Sequence, residues 1–341
     1  MIMVIFGAGA SYDSVPSRPP GRYPRPSLFD RPPLAAELFL SEGFFANCLS
    51  EFPRCKPIVP YLQTLPAGTT LESVLEKLQL EAEADPERKR QITAIRYYLQ
   101  SMIAQCQTRW HSVAQGTTNY VTLLDQLRRC RGNNLVSLVT FNYDCLIEEA
   151  LKSVDINISE ISDYTQNDKF KLFKLHGSAD WAREIDAPVD LAKQDGWALI
   201  NEIIHSTKNI QVSDRFRLEK NRPLGKTAAN IPLFPAIAIP VETKSTFECP
   251  KEHLDCLREN IGQVRKVLIV GWRAAEKHFL SLLRERLTTK IRVQAVAGNK
   301  AEAERSLAQL VDAEIVHDGE AMDYGFTEYV ISREAERFFQ A

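Results

Sequence analysis

Short apolar runs that stop abruptly at Gly, Asn or Pro recur along the chain, and each reads as a buried strand. They are Ile2 to Phe6, Leu135 to Phe141, Phe170 to Leu175, Ala236 to Ile239, Val267 to Val270 and Ile291 to Ala297. Near-continuous apolar runs of this kind suit a parallel sheet covered on both faces. Between them, apolar positions recur at helical spacing. Thr69-x-x-Glu72 reads as a capping box ahead of Leu71, Val74, Leu75 and Leu78. Asp85-Pro86 reads as a cap with proline at the first helical position, opening a helix towards Cys106. Asn119 to Cys130, Ala275 to Leu287, Lys300 to Val311 and Thr327 to Phe339 also read as helices.

The pattern predicts an α/β fold, a Rossmann-like parallel sheet flanked by helices, carrying a large helical insertion over 34–131. Residues 182–233 are polar and read as an irregular insertion, with weak helix around Trp197 to His205. The whole chain, 1–341, then reads as one nucleotide-binding domain. Residues 14–33 hold prolines 16, 19, 20, 24, 26, 32 and 33 of the 18 in the chain. That density excludes packed helix or strand and predicts a loop lying over whatever sits at Gly7 to Ser11.

Composition narrows the class. The 341 residues are 44% hydrophobic and 25% charged, which excludes a disordered or fibrous protein. The net charge of -2 leaves no footprint for non-specific nucleic-acid binding. No apolar run approaches the roughly 20 residues that span a bilayer. The first apolar run lacks a basic leader, and the 7 cysteines are scattered and odd in number. Together these predict a reduced, cytoplasmic protein.

Three segments at strand ends carry candidate chemistry. Gly7-Ala8-Gly9-Ala10-Ser11 follows the first strand; glycines there allow close approach of a phosphate, or simply a tight strand-to-helix turn. Tyr12 holds the place of the last glycine of the dinucleotide fingerprint. Thr140-Phe141-Asn142-Tyr143-Asp144 follows the second strand; its Asn and Asp suit ribose hydroxyls, a water, or the cap of the next helix. Lys174-Leu175-His176-Gly177-Ser178 follows the third, with a histidine as base or as structural residue. Gly271-Trp272 and Gly298-Asn299 end two later strands in the same way. Ligands of open α/β sheets bind outside the carboxyl ends of the strands, so all five segments belong to one rim.

Read in order, Gly-Ala-Gly-Ala-Ser11, Thr-Phe-Asn142-Tyr-Asp144 and Leu-His176-Gly177-Ser178 resemble the sirtuin-like family. Sirtuins proper have Gln where Phe141 stands. The Phe-Asn-Tyr-Asp form resembles the bacterial sirtuin-like NAD-cleaving branch of anti-phage defence systems, as do Pro33 to Leu38 and Val270-Gly271-Trp272. The resemblance implies cleavage of the nicotinamide–ribose bond of NAD by hydrolysis, giving nicotinamide and ADP-ribose, with Asn142 and His176 as catalytic residues. It implies nucleotide contacts from Gly7, Ala8, Gly9, Ala10, Ser11, Phe141, Asp144, Gly271, Trp272 and Asn299. Deacylating sirtuins carry two C-x-x-C pairs for a structural zinc. This sequence has none, and Cys249-x3-His253-x2-Cys256 lacks a fourth ligand nearby, so no metal is expected. An NAD-dependent deacylase or a non-catalytic nucleotide-binding subunit are the alternative readings. The branch also implies control by homo-oligomerisation or by a separately encoded activator, an ATPase or an Argonaute-like protein, with no membrane or direct nucleic-acid partner.

Overall fold

The computed structural model describes residues 1–20, 31–40, 43–65, 68–186, 196–220, 225–227, 229–241 and 247–340. Its strands are β1 (Ile2–Phe6), β2 (Val136–Thr140), β3 (Phe170–Lys174), β4 (Gly177–Asp186), β5 (Gln211–Leu218), β6 (Leu233–Ile237), β7 (Lys266–Val270), β8 (Ile291–Val296) and β9 (Val316–Ala321). Two compact units divide the chain. One comprises Met1–Pro32, Gln107–His176 and Lys244–Ala341, the other Pro33–Cys106 and Gly177–Thr243.

The first unit is built on a six-stranded sheet in the order β3-β2-β1-β7-β8-β9. Every pairing in it is parallel. All residues of β1 and β2 are buried, as the unbroken apolar runs require. Successive strands run outward from β1 to β2 and β3, then from β7 to β8 and β9. The order therefore reverses between β1 and β7, where open α/β sheets keep their ligand crevice. The core on one face joins Met3, Ile5, Val139, Phe173, Val267, Ile269 and Val293 to Leu257 and Ile261 of the helix Lys251–Ile261 and to Phe279 and Leu283 of the helix Lys277–Arg286.

The second unit pairs a three-stranded antiparallel sheet, β5-β4-β6, with the helices Gly43–Glu51, Leu71–Ala84 and Gly196–His205 and the first part of the 29-residue helix Pro86–Ala114. Within it Tyr98 donates to Leu38 O at 2.6 Å, and Tyr97 to Leu233 O at 2.8 Å. Gln100 Nε2 donates to Trp181 O at 2.9 Å, and Trp197 meets Phe52 at 5.2 Å between ring centroids.

Several elements differ from the sequence reading. Residues 182–233 hold the second half of β4 and all of β5, beside the helix Gly196–His205 that was expected there. The strands escape notice because β5 is mixed in polarity with no buried residue and β4 shifts register between Arg183 and Ile185. β9 was likewise hidden, an edge strand with Val316 and Ala321 flanking polar residues. The run over 34–131 is helical, but its last 25 residues, from Gln107 on, belong to the first unit. The first cap lies one residue on: Thr70 Oγ1 accepts from Ser73 N, and Ser73 Oγ accepts from Thr70 N. The last helix is two, Phe326–Ile331 and Glu334–Gln340, because Arg333 takes a positive φ of 57° between them. Prolines 24 and 26 lie outside the described residues. Among those described, no helix is long and apolar enough to cross a membrane.

A buried polar cluster fastens the end of the first helix, Ala8–Tyr12, to the helix Phe326–Ile331. Asp13 accepts from Thr327 N at 3.0 Å and from Thr327 Oγ1 at 2.6 Å. Asn119 Nδ2 donates to Asp13 O and Thr327 Oγ1, and Trp110 Nε1 to Ser14 Oγ. Burial raises the Asp13 pKa above its ordinary 3.8, against the bonds from Thr327 and the charge of Arg31. The folded carboxyl thus keeps its proton to higher pH than the unfolded one. The stability it contributes is full in acid and falls as pH rises from 3.8 through the folded value. Asp13→Asn has no such titration, so thermal unfolding across pH should show wild type losing ground to this variant as pH rises through that window.

Candidate functional site

The turn after β1 is shaped by close contact between main chains. Gly7 N donates to Val270 O at 3.0 Å and Gly9 N to Gly271 O at 3.1 Å. A Cβ on Gly7 would lie 2.5 Å from Gly271 O and 2.6 Å from Trp272 Cα; one on Gly271 would lie 2.2 Å from Ala10 N. Gly271 also has a φ of +60°, in the region that disfavours side chains. The glycines of both segments are therefore required by each other. Ala10 is buried and its N–H returns to Gly7 O, while Ala8 is exposed.

Asn142 joins the end of β2 to this turn. Its backbone N–H is held by Thr140 Oγ1 at 3.0 Å. Its Nδ2 donates to Gly7 O and Ser11 Oγ, both at 2.9 Å, and lies 3.4 Å from the Tyr120 hydroxyl. Both amide hydrogens are committed, and Oδ1 is the side chain's remaining polar atom. Ser11 is 1% exposed and also meets Tyr120 Oη at 2.9 Å. Asp144 accepts from Ser11 and from Leu146 N, so it caps the helix Leu146–Leu151 as well as facing the turn. Burial raises its pKa, opposed by the charge of Lys174. Tyr120 escaped the sequence reading; its only signal is an aromatic in the first turn of the helix Asn119–Cys130.

The other half of the site is aromatic. Phe141 stacks on Trp272 at 5.3 Å with an interplanar angle of 8°, and meets His176 edge-on at 4.9 Å. Phe279 packs edge-on against both Phe141 and Trp272. Trp272 Nε1 donates to Glu276, which leaves its indole a packing surface within the core. His176 is 7% exposed. Leu175 N donates to Thr140 O at 3.0 Å, so the β3 end is keyed to the β2 end.

The structure thus brings together Gly7 to Ser11, Phe141, Asn142, Asp144, His176, Gly271 and Trp272. Asn299 stands apart in role: it is exposed and caps the helix Lys300–Asp312 through Glu302 N at 3.0 Å. His253 of the cysteine–histidine segment hydrogen-bonds Ile161 O at 2.7 Å. No group of three or more His, Cys, Asp or Glu among the described residues could hold a metal ion.

A family model for the SIR2-like domain matches residues 136–310, just over half of the chain. The chain belongs to the SIR2-like domain family. The matched span of this SIR2-like protein contains Asn142, Asp144, His176, Gly271 and Trp272, and the geometry above attaches the glycine turn to it. Among solved structures, a Sir2 homologue in complex with 2′-O-acetyl ADP ribose is 13% identical with a TM-score of 0.43, covering 99% of this chain and 91% of that one. A Sir2–p53 peptide–NAD+ complex is 14% identical with a TM-score of 0.37, covering 99% and 93%. A comparison with curated proteins finds no match.

Two substitutions test this construction. Gly271→Ala should destabilise by about 1–3 kcal/mol or more through overpacking against the first turn, read by urea unfolding. Tyr120→Phe keeps the ring against Phe6 but removes the hydroxyl from Ser11, and should cost about 1 kcal/mol in the same assay.

Proposed function

We propose that this SIR2-like protein is an NAD+ hydrolase that cleaves the nicotinamide–ribose bond. The observation that carries the reading is the convergence of three strand ends: Asn142 donates to Gly7 O and Ser11 Oγ while Phe141, its chain neighbour, packs on His176. Membership of the SIR2-like family supports an enzyme that uses NAD.

In this reading NAD+ is the substrate, and the residues suit it in chemical kind. Glycine N–H groups 7 and 9 are spent on Val270 O and Gly271 O, so the diphosphate would meet the turn on the side of exposed Ala8. Ser11 works inward, fixing Asn142 and Asp144. Asn142 Oδ1 is the acceptor left for a ribose hydroxyl or the attacking water. Bond cleavage sends the C–N electron pair to nicotinamide, a leaving group that starts cationic and needs no general acid. Positive charge develops on the ribose in an oxocarbenium-like state. Water bonds to the sugar carbon, and His176 takes its proton. Gly271, Trp272 and Phe141 would shape the wall around the nucleotide, and Asn299 would border it at the β8 end.

Such an activity depletes a shared cofactor and must be restrained. We assign the protein to bacterial anti-phage defence, restrained by homo-oligomerisation or a separately encoded activator such as an ATPase or an Argonaute-like protein. This extends the resemblance of the Phe-Asn-Tyr-Asp segment.

The test is to incubate the purified chain with NAD+ and follow nicotinamide and ADP-ribose by chromatography. Asn142→Ala and His176→Ala, confirmed folded by circular dichroism, should each lose about 10²-fold or more in rate. Full activity in either variant overturns its role. Nicotinamide release that depends on an acyl-lysine peptide would identify a deacylase instead. NAD+ binding without turnover, with or without activators, would identify a binding subunit.

A further inference from the structure

Behind the site stands a lysine with no exposed side-chain surface. Lys174 ends β3; its Nζ donates to the main-chain carbonyl of Asp144 and pairs with Glu148 Oε1 at 2.9 Å. The Glu148 side chain is 9% exposed, and its Oε1 also accepts from the Tyr164 hydroxyl at 3.0 Å. Glu148 Oε2 is buried without a hydrogen-bond partner among the described residues. Burial alone would lower the lysine's pKa, but the Glu148 carboxylate reverses this and holds the ammonium charged.

A buried pair of this kind is weak evidence of a contribution to stability. Removing two charges from water costs several kcal/mol each, and replacing a buried pair by apolar residues of similar volume is often neutral or stabilising. What the pair does have is position. The carbonyl it holds belongs to the segment that presents Asn142 and Asp144. The lysine's own main chain sits opposite Thr140 in the β2–β3 register and leads within two residues to His176. One residue therefore grips one chemistry-bearing loop with its side chain while its backbone carries the other.

We propose that Lys174, with Glu148 as its counter-charge and Tyr164 steadying that carboxylate, is a positioning residue that sets the 141–144 loop against His176. It touches no reacting atom and acts through Asp144. The proposal rests on the NAD-cleaving reading for its consequence in rate, but not for its consequence in loop order.

The test compares the full chain with Lys174→Met, Glu148→Gln and the double variant Lys174→Met/Glu148→Leu. Three quantities are read: stability in urea, kcat and KM for NAD+ cleavage, and amide hydrogen exchange of peptides covering 141–146. Every amide in that window that bonds to a named partner does so within the unit: Phe141 to Phe6 O, Asn142 to Thr140 Oγ1, Cys145 to Gln107 Oε1 and Leu146 to Asp144 Oδ1. Exchange there reports opening of the loop itself. Lys174→Met alone strands a buried carboxylate and should lower stability. The double variant should recover wild-type stability, yet keep a kcat about tenfold or more below wild type with KM changed far less, and faster exchange over 141–146. Recovery of stability together with wild-type kcat and exchange overturns the proposal. If the double variant does not fold, Glu148→Gln decides, since it keeps the shape and the Tyr164 bond; it should show the same split of kcat from KM and faster exchange, and wild-type values for both would overturn the proposal. If the wild type neither binds nor cleaves NAD+, the parent reading fails, while the exchange comparison still decides whether Lys174 orders the loop.

Discussion

Main chain packs directly on main chain where the turn after β1 meets the end of β7. Gly7 and Gly9 lie against Gly271 with no room for a methyl group on any of the three. Because the two N–H groups are consumed by Val270 O and Gly271 O, the turn is fixed as part of the sheet rather than left as a loose loop. That leaves Gly7 O facing the other way, where the Asn142 amide takes it up. The strand order reverses between the same two strands. A contact that only glycine permits thus sits at the one place in the sheet where a crevice is expected.

Two kinds of cohesion meet at that place. On one side Ser11 links Asn142, Tyr120 and Asp144 in a buried set of hydrogen bonds. Buried polar sets of this kind are rigid when complete and costly when one member is lost. On the other side Phe141, Trp272, Phe279 and His176 are held by ring contacts. Phe141 and Asn142 are adjacent in the chain, so the polar and the aromatic halves share a single peptide bond. This gives Phe141 a structural reason to be aromatic where sirtuins proper carry glutamine: it has a stacking partner in Trp272.

The central strands were legible because burial on both faces leaves an unbroken apolar run. β9 and β5 were not, since exposed strands carry no such run, and β4 was masked by its register shift. The strand-end segments stood out by residue type and position, yet their use of atoms did not. Sequence left the glycines to serve a phosphate or a tight strand-to-helix turn; the structure shows a tight turn packed on Gly271. Sequence suggested ribose contacts for Asn142, and its amide turns out to brace the turn. Lys174 carried a readable signal, a cation in phase with Phe170 and Leu172 on a strand buried along most of its length. Its partner Glu148 had none, because a glutamate early in a helix looks like any other favourable charge near the dipole's positive end.

The Asp13–Thr327 bonds connect residues 314 positions apart, and β1 is flanked on one side by β7. During synthesis the first strand emerges with one neighbour more than two hundred residues away. Its turn cannot acquire its shape until Gly271 has left the ribosome and folded back. Contacts this distant in sequence make for slow, late closure. Until Gly271 and Trp272 have followed, the glycine turn and the Phe141 ring lack the neighbours they pack on, although the partners of Asn142 are already made.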